Sequence, residues 1–195
     1  MNNSLENEII FVKKGFELIK KTGWDKFSIK KMSKTLKIPN DELKKIFSCK
    51  NSIINKFSTM IDNNVETKVS INDFRDSSTK DILFELIMLR FDEMEDYKDA
   101  LKSILKNTKK NPLLLSIISK NLLNTMDFYL ELSNAYKNSP FEFYKKNFLL
   151  LIYSLTFKIW LEDNTEDLSE TMAELDKLLS MAQNLQNNIK NFLPI

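Results

Sequence analysis

Lys30, Lys31, Lys34, Lys37, Lys44, Lys45 and Lys50 stand close together in the first quarter of the chain, and they are the residues whose chemistry is easiest to name. Ammonium groups on long stems meet phosphates as point charges, so this set points to a polyanion. Other chemistry is largely excluded. There is no histidine, and the single Cys49 cannot build a thiolate cluster, so a His-based triad, a common general base and a His- or Cys-type metal site are all missing. With only Gly15 and Gly23, neither a dinucleotide fingerprint nor a P-loop can be written. Asp92, Glu93, Glu95 and Asp96 form a carboxylate cluster, but helical spacing spreads them over several faces, where they solvate a helix end. The chain is therefore read as a non-enzyme with no catalytic residue, no metal and no cofactor.

The lysines need a frame, and the stretch SIKKMSKTLKIPNDELKKIF, residues 28–47, supplies one. Ser28 can cap a first short helix that turns Ile29, Met32 and Leu36 to one face. Lys37 and Ile38 make the break, and Pro39 bars continuation because its ring lacks an amide hydrogen and restricts the residue before it. Asn40 is expected to cap a second helix that points Leu43, Ile46 and Phe47 inward. Two helices with apolar inner faces and a tight turn predict a helix-turn-helix, whose second helix offers its outer face to a DNA groove.

Two Gly and four Pro in 195 residues, with 43% hydrophobic content, predict an almost wholly helical globular chain. Residues 5–22 predict a first helix with a stripe of Ile9, Val12, Phe16 and Ile19, ended by Gly23, with Trp24 and Phe27 closing a three-helix core. Further helices are expected near 51–69, 79–95, 97–106, 112–136, 141–162 and 167–190. Pro112 and Pro140 open two of them, where a missing amide costs nothing. Arg90 lies inside an apolar run and must be paired, with Asp92 and Glu93 the local candidates. The division expected is a head over 1–50, a connecting helix over 51–70 and a helical body over 71–195. Residues 1–50 carry 12 Lys against 6 Asp and Glu, a net +6 that leaves −4 for the remainder. That asymmetry favours a polyanion at one end. One cysteine and a polar start without a signal peptide suit the cytoplasm, and the longest apolar run, FLLLIY at 148–153, is far short of a membrane span. The apolar tail of Ile189, Phe192, Leu193 and Ile195 is expected to dock on the body.

The segment IIFVKKGFELIKKTGWDKFSIKKMSKTLKIPNDELKKIFSCKNSIINKF, residues 9–57, resembles the N-terminal pattern of the TetR family of bacterial regulators. Phe47, Lys50 and Ile53 match the aromatic, lysine and aliphatic residues that follow that family's recognition helix. The resemblance implies an all-α, TetR-like fold, with a three-helix helix-turn-helix head and a C-terminal helical body for ligand binding and dimerisation. It also implies a DNA-binding transcriptional regulator, a repressor answering an apolar small molecule. The sequence departs from the pattern at Lys37, where a Gly is usual, at Asp41 and Glu42, where small residues and a Thr are usual, and at Lys44, where a phosphate-touching Tyr is usual.

On this reading Lys30, Lys34, Lys44, Lys45 and Lys50 contact phosphates while Asn40 and Glu42 reach base edges. An apolar ligand sits near Phe84, Met88, Phe91, Met126, Phe148 and Ile152, and a homodimer forms through the last two helices, 141–162 and 167–186. A second resemblance covers 143–179. The run of Trp160, Glu162, Asp163, Thr165, Asp167, Thr171, Leu175 and Asp176 is similar to the ubiquinone-biosynthesis accessory proteins, which share the TetR fold and bind lipid. It implies, as the alternative, a lipid carrier with a degenerate head.

Overall fold

In the computed structural model, residues 2–69, 74–136 and 142–192 are described, and among them the chain is helix and turn with no strand. The elements are α1 (Asn2–Thr22), α2 (Ile29–Leu36), α3 (Asn40–Ile46), α4 (Ser52–Lys68), α5 (Thr79–Met94), a 3-10 turn (Glu95–Tyr97), α6 (Lys98–Thr108), α7 (Pro112–Leu132), α8 (Glu142–Glu162) and α9 (Ser169–Phe192). Pro140, Phe141, Leu193 and Ile195 lie outside the described residues, as do the side chains of Ile189 and Phe192.

The chain divides into two compact units that do not follow chain order: Met1–Asn64 with Met94–Leu122, and Val65–Glu93 with Leu123–Ile195. In the first, α1 buries Val12, Phe16 and Ile19, but Ile9 is 39% exposed and leaves the expected stripe. Phe16 stacks on Phe57 of α4 at 3.9 Å between ring centres, and Tyr97 meets both rings edge-on. Buried aromatic clusters of this kind combine large apolar area with fixed geometry. Tyr97 is thus what draws the 3-10 turn and α6 to the first helices. α6 packs along α1, and Lys20 pairs with Asp99 at 3.0 Å. Gly15 brings α1 close to α4, since a Cβ there would lie 2.3 Å from Ile53 Cδ1.

The second unit has Leu86, Ile87 and Phe91 of α5 fully buried. Phe91 stacks on Trp160 of α8 at 5.3 Å and tilts against Tyr153. Arg90, 2% exposed, donates from Nε to the Tyr153 hydroxyl of α8 at 3.2 Å, and Glu93 pairs with the Lys68 ammonium. α7 starts where the sequence indicates, with Pro112 in its first turn and Asn111 Oδ1 accepting from the Leu114 amide at 3.1 Å. It stops at Leu132, four residues short of expectation, and Asn134 turns the chain with φ 55°.

α8 and α9 pack on each other through a turn built by Asp163. This carboxylate is 1% exposed and accepts four hydrogen bonds: from the Thr165 amide and hydroxyl on Oδ1, and from the Thr171 amide and hydroxyl on Oδ2. Burial opposes its charge, but the bonds from Thr165 and Thr171 outweigh burial and hold its pKa well below the usual carboxylate range. A group with a depressed folded pKa contributes stability that is complete above its unfolded pKa, ~3.9, and is lost as pH falls below that toward the folded value. Replacing Asp163→Ala should cost about 2–4 kcal/mol, because buried donors in the first turn of α9 lose their acceptor. Urea unfolding of wild type and Asp163→Asn, followed by circular dichroism, should give a midpoint gap that is constant above about pH 5 and closes progressively below about pH 4. A gap that persists undiminished in acid contradicts the assignment.

Candidate nucleic-acid interface

α2 is an eight-residue helix whose N-cap is Ser28, the hydroxyl accepting from the Lys31 amide at 3.1 Å. Ile29 and Met32 are buried and Leu36 is half-buried. The helix ends at Lys37, which takes the left-handed conformation, φ 56°, that glycine fills without strain. The Ser33 hydroxyl donates to the Ile38 carbonyl at 2.6 Å and the Ile38 amide returns to the Ser33 carbonyl at 3.1 Å, so the turn is closed by side chain and backbone together. That closure offsets the strain of a lysine at a glycine position.

α3 corrects one expectation. Asn40 is the first residue of the helix and not its cap; Pro39 holds the cap position with no side-chain bond, and Asn40 Oδ1 is buried with no partner among the described residues. The proline ring fixes the entry angle, and the Glu42 and Leu43 amides are taken by the Pro39 carbonyl, so no side-chain acceptor is needed. Leu43 and Phe47 are fully buried, whereas Ile46 is only half-buried. Asp41, Glu42, Lys44 and Lys45 are all exposed. Asp41 and Lys45 stand four apart on the same outward face, with Glu42 and Lys44 to either side, so each carboxylate has an ammonium within a turn of it.

The seven nucleic-acid candidates therefore separate. Lys30, Lys34, Glu42, Lys44 and Lys45 are exposed on α2 and α3, and Asn40 is half-buried between them. Lys50 is elsewhere: its Nζ donates to the Trp24 carbonyl at 2.5 Å and lies 4.5 Å over the Trp24 ring. Burial lowers its pKa, with Asp25 opposing. The same Trp24 donates its amide to Ser103 Oγ of α6 at 2.8 Å. Lys50 thus ties the start of α4 to the α1–α2 turn.

The six ligand candidates do not gather round one opening. Phe91 and Met126 are fully buried and Ile152 is 4% exposed, with Phe91 enclosed by the chain's own rings. Phe84 and Met88 are half-buried, and Phe148 is 41% exposed on the outer side of α8. A cleft of about 280 Å³ beside Phe74, Asp81 and Glu85 and another of about 340 Å³ beside Lys13 and Tyr97 are lined by none of the six. Phe148 instead joins Tyr144, Leu151 and Leu155, all exposed and spaced i, i+4, i+7, i+11, in an apolar stripe, and α9 adds exposed Met181 and Leu185.

Charge follows the units more sharply than the chain order suggests. The first holds 19 Lys against 10 Asp and Glu, net +9, and the second is left at −7. The difference from the linear reading comes from residues 94–122, which lie well beyond residue 50 but belong to the basic unit. No helix of the described residues is long and apolar enough to cross a membrane. No protein-family profile matches the chain, and no curated protein matches it. Among solved structures it is similar to one described as a TetR transcriptional regulator from Nitrosomonas europaea, with a TM-score of 0.76 and 19% identity over 90% of this chain and 97% of that one. The fold is TetR-like and all-α.

Proposed function

We propose that this protein is a TetR-type DNA-binding regulator of transcription, a homodimer that represses until an apolar small molecule binds. The reading is carried by one observation: α2 and α3, joined by a closed turn, leave the outer face of α3 free while the unit that holds them is strongly basic. The residues of 1–50 act as the reading head, 51–70 as the connection and 71–195 as the regulatory body, apart from 94–122, which pack into the same unit as the head. Lys30, Lys34, Lys44 and Lys45 contact phosphates, and Glu42 faces base edges, with Asn40 beside it. Lys50 is assigned to holding the head together and not to the duplex.

Dimerisation is assigned to the exposed stripe of α8 with α9, so Phe148 passes from the ligand set to the interface. An apolar ligand then enters next to Phe84 and Met88, and Phe91, Met126 and Ile152 must repack to admit it. The alternative of a lipid-binding accessory protein of ubiquinone biosynthesis draws less support. Trp160, Asp163, Thr171 and Leu175, on which that likeness rests, are buried and build the α8–α9 turn and its core.

Selection from a random duplex library, then titration between about 50 and 200 mM salt, tests the regulator reading. Wild type should retain a preferred sequence, and Lys44→Gln with Lys45→Gln should lower the slope of log affinity against log salt by about 2, near 0.9 per phosphate contact. Lys50→Met should leave that slope unchanged and cost about 1–2 kcal/mol in unfolding, since it removes a charge-assisted bond to the Trp24 carbonyl, which then keeps the Phe27 amide as donor. Binding that never distinguishes sequences counts against a specific regulator. Light scattering after size exclusion should give twice 22.9 kDa for wild type and the single mass for Leu151→Glu with Leu155→Glu; a dimer that survives both charges places the interface elsewhere.

A further inference from the structure

We propose that the end of α6 and its link to α7 form a second phosphate-contacting surface, where Lys106, Lys109 and Lys110 grip the backbone of the duplex that α3 reads. The inference rests on the DNA-binding reading and extends its footprint beyond the helix-turn-helix.

Composition marks the segment first. Between Asp99 and Asp127 the chain has five lysines and no Asp or Glu, although residues 51–195, to which it belongs, are acidic in sum. Lys106, Lys109 and Lys110 are exposed, and none engages its ammonium in an ion pair or hydrogen bond among the described residues. The helix dipole favours cations at the end of α6, but it acts within the last turn only and does not account for five lysines spread over 102–120. Exposed like charges held this close repel one another, and an anionic partner relieves that repulsion.

Placement connects the segment to the head. Ser103 of α6 accepts from the Trp24 amide at 2.8 Å, and Trp24 leads through the exposed Lys26 into the cap of α2 and Lys30. At 1.5 Å per residue, Lys106 lies ~5 Å along the axis from Ser103, and Lys109 and Lys110 follow in the turn after α6 ends at Thr108. These lysines therefore follow directly from the helix that Ser103 holds to the turn leading to Lys26 and Lys30, within one compact unit.

The frame is fixed at both sides of the turn. Asn107 Nδ2 donates to the Ser103 carbonyl at 3.0 Å, the Thr108 hydroxyl to the Leu105 carbonyl at 2.8 Å, and the Lys110 amide to the Asn107 carbonyl at 3.2 Å. Asn111 then caps α7. Three cations on a capped turn are preorganised for a phosphate row.

Leu113 and Leu115, 63% and 50% exposed, stand beside these lysines, which is the pattern that meets an anionic bilayer. Continuity with the basic unit of α2 and α3 favours the duplex.

The test uses the full chain carrying Lys106→Gln, Lys109→Gln and Lys110→Gln, with wild-type circular dichroism and dimer mass required. The expected result is a salt slope lower by about 2–3 than wild type, at an unchanged preferred sequence. A matched loss of charge at Lys13, Lys14 and Lys21 on α1 should move the slope by less than 1, measuring the general field. Wild type that binds duplex with the same slope as the triple variant, or an α1 variant that falls equally, overturns the second surface and leaves the regulator reading standing. Wild type that binds no duplex overturns both. Vesicles of equal parts phosphatidylcholine and phosphatidylserine that bind wild type and not the triple variant, with the duplex slope unchanged, assign the surface to a membrane and overturn the proposal.

Discussion

The first unit depends on the backbone of one residue, Trp24. Its amide is taken by the Ser103 hydroxyl, 79 residues away, and its carbonyl by the Lys50 ammonium, 26 residues away. Trp24 is 3% exposed, so its amide without Ser103 would carry the desolvation penalty of a buried polar group, while its carbonyl also accepts from the Phe27 amide at 3.1 Å. Gly23 makes the arrangement possible. Its φ of 80° turns the chain sharply after α1, and only Ser103 Oγ, at 3.6 Å, stands near the place of a side chain. The helix-turn-helix is therefore not a free-standing motif. α1, α4 and α6 meet at Trp24, and α2 begins five residues later from a point those three have fixed.

That arrangement explains why charge segregates by unit. α6 is held to the first helices by Ser103, by Lys20 with Asp99, and by Tyr97 against Phe16 and Phe57, and it brings its lysines with it. The result is +9 in one unit and −7 in the other. Ion pairs such as Lys56 with Glu8 at 2.7 Å and Lys20 with Asp99 relieve part of the self-repulsion, yet most lysines of α2, α3 and the α6–α7 link remain exposed. Net charge of this size is a statement about partners and association rates more than about fold.

Local features were legible in the sequence. The cap at Ser28, the stop at Gly23, the break over Lys37–Pro39 and the start of α7 after Asn111 all follow from the chemistry of single residues and their neighbours, and each stands in the structure. What was not legible depends on distant parts of the chain. Lys50 has the spacing of a phosphate contact, and nothing local says that a carbonyl 26 residues upstream claims it. Arg90 donates to Tyr153, on a helix 63 residues on, which nothing beside it in the sequence announces. Phe148 and Ile152 stand four apart in α8, but one is 41% exposed and the other 4%, because an α8 apolar on most sides gives periodicity little to distinguish. Asn40 misled for a different reason: a good capping residue one place after Pro39 was displaced from the cap by the proline's fixed geometry.

The make-up of the head also limits how a duplex could be read. All 12 basic residues of 1–50 are lysine, so the bidentate fork by which arginine recognises guanine is absent. Lysine meets phosphate as a point charge, which gives affinity and salt dependence and little sequence information. Selectivity on the regulator reading then falls to Glu42, able to accept from a cytosine amino group, and to groove shape and the spacing of two heads. Asp41 and Glu42 suit the start of α3, where the helix dipole favours anions, so they stabilise the helix while they oppose phosphate. Lys44 and Lys45, one turn on, restore the balance locally. On the regulator reading, a head of this composition depends on phosphate contacts for its affinity, and lysines outside the helix-turn-helix would add to them.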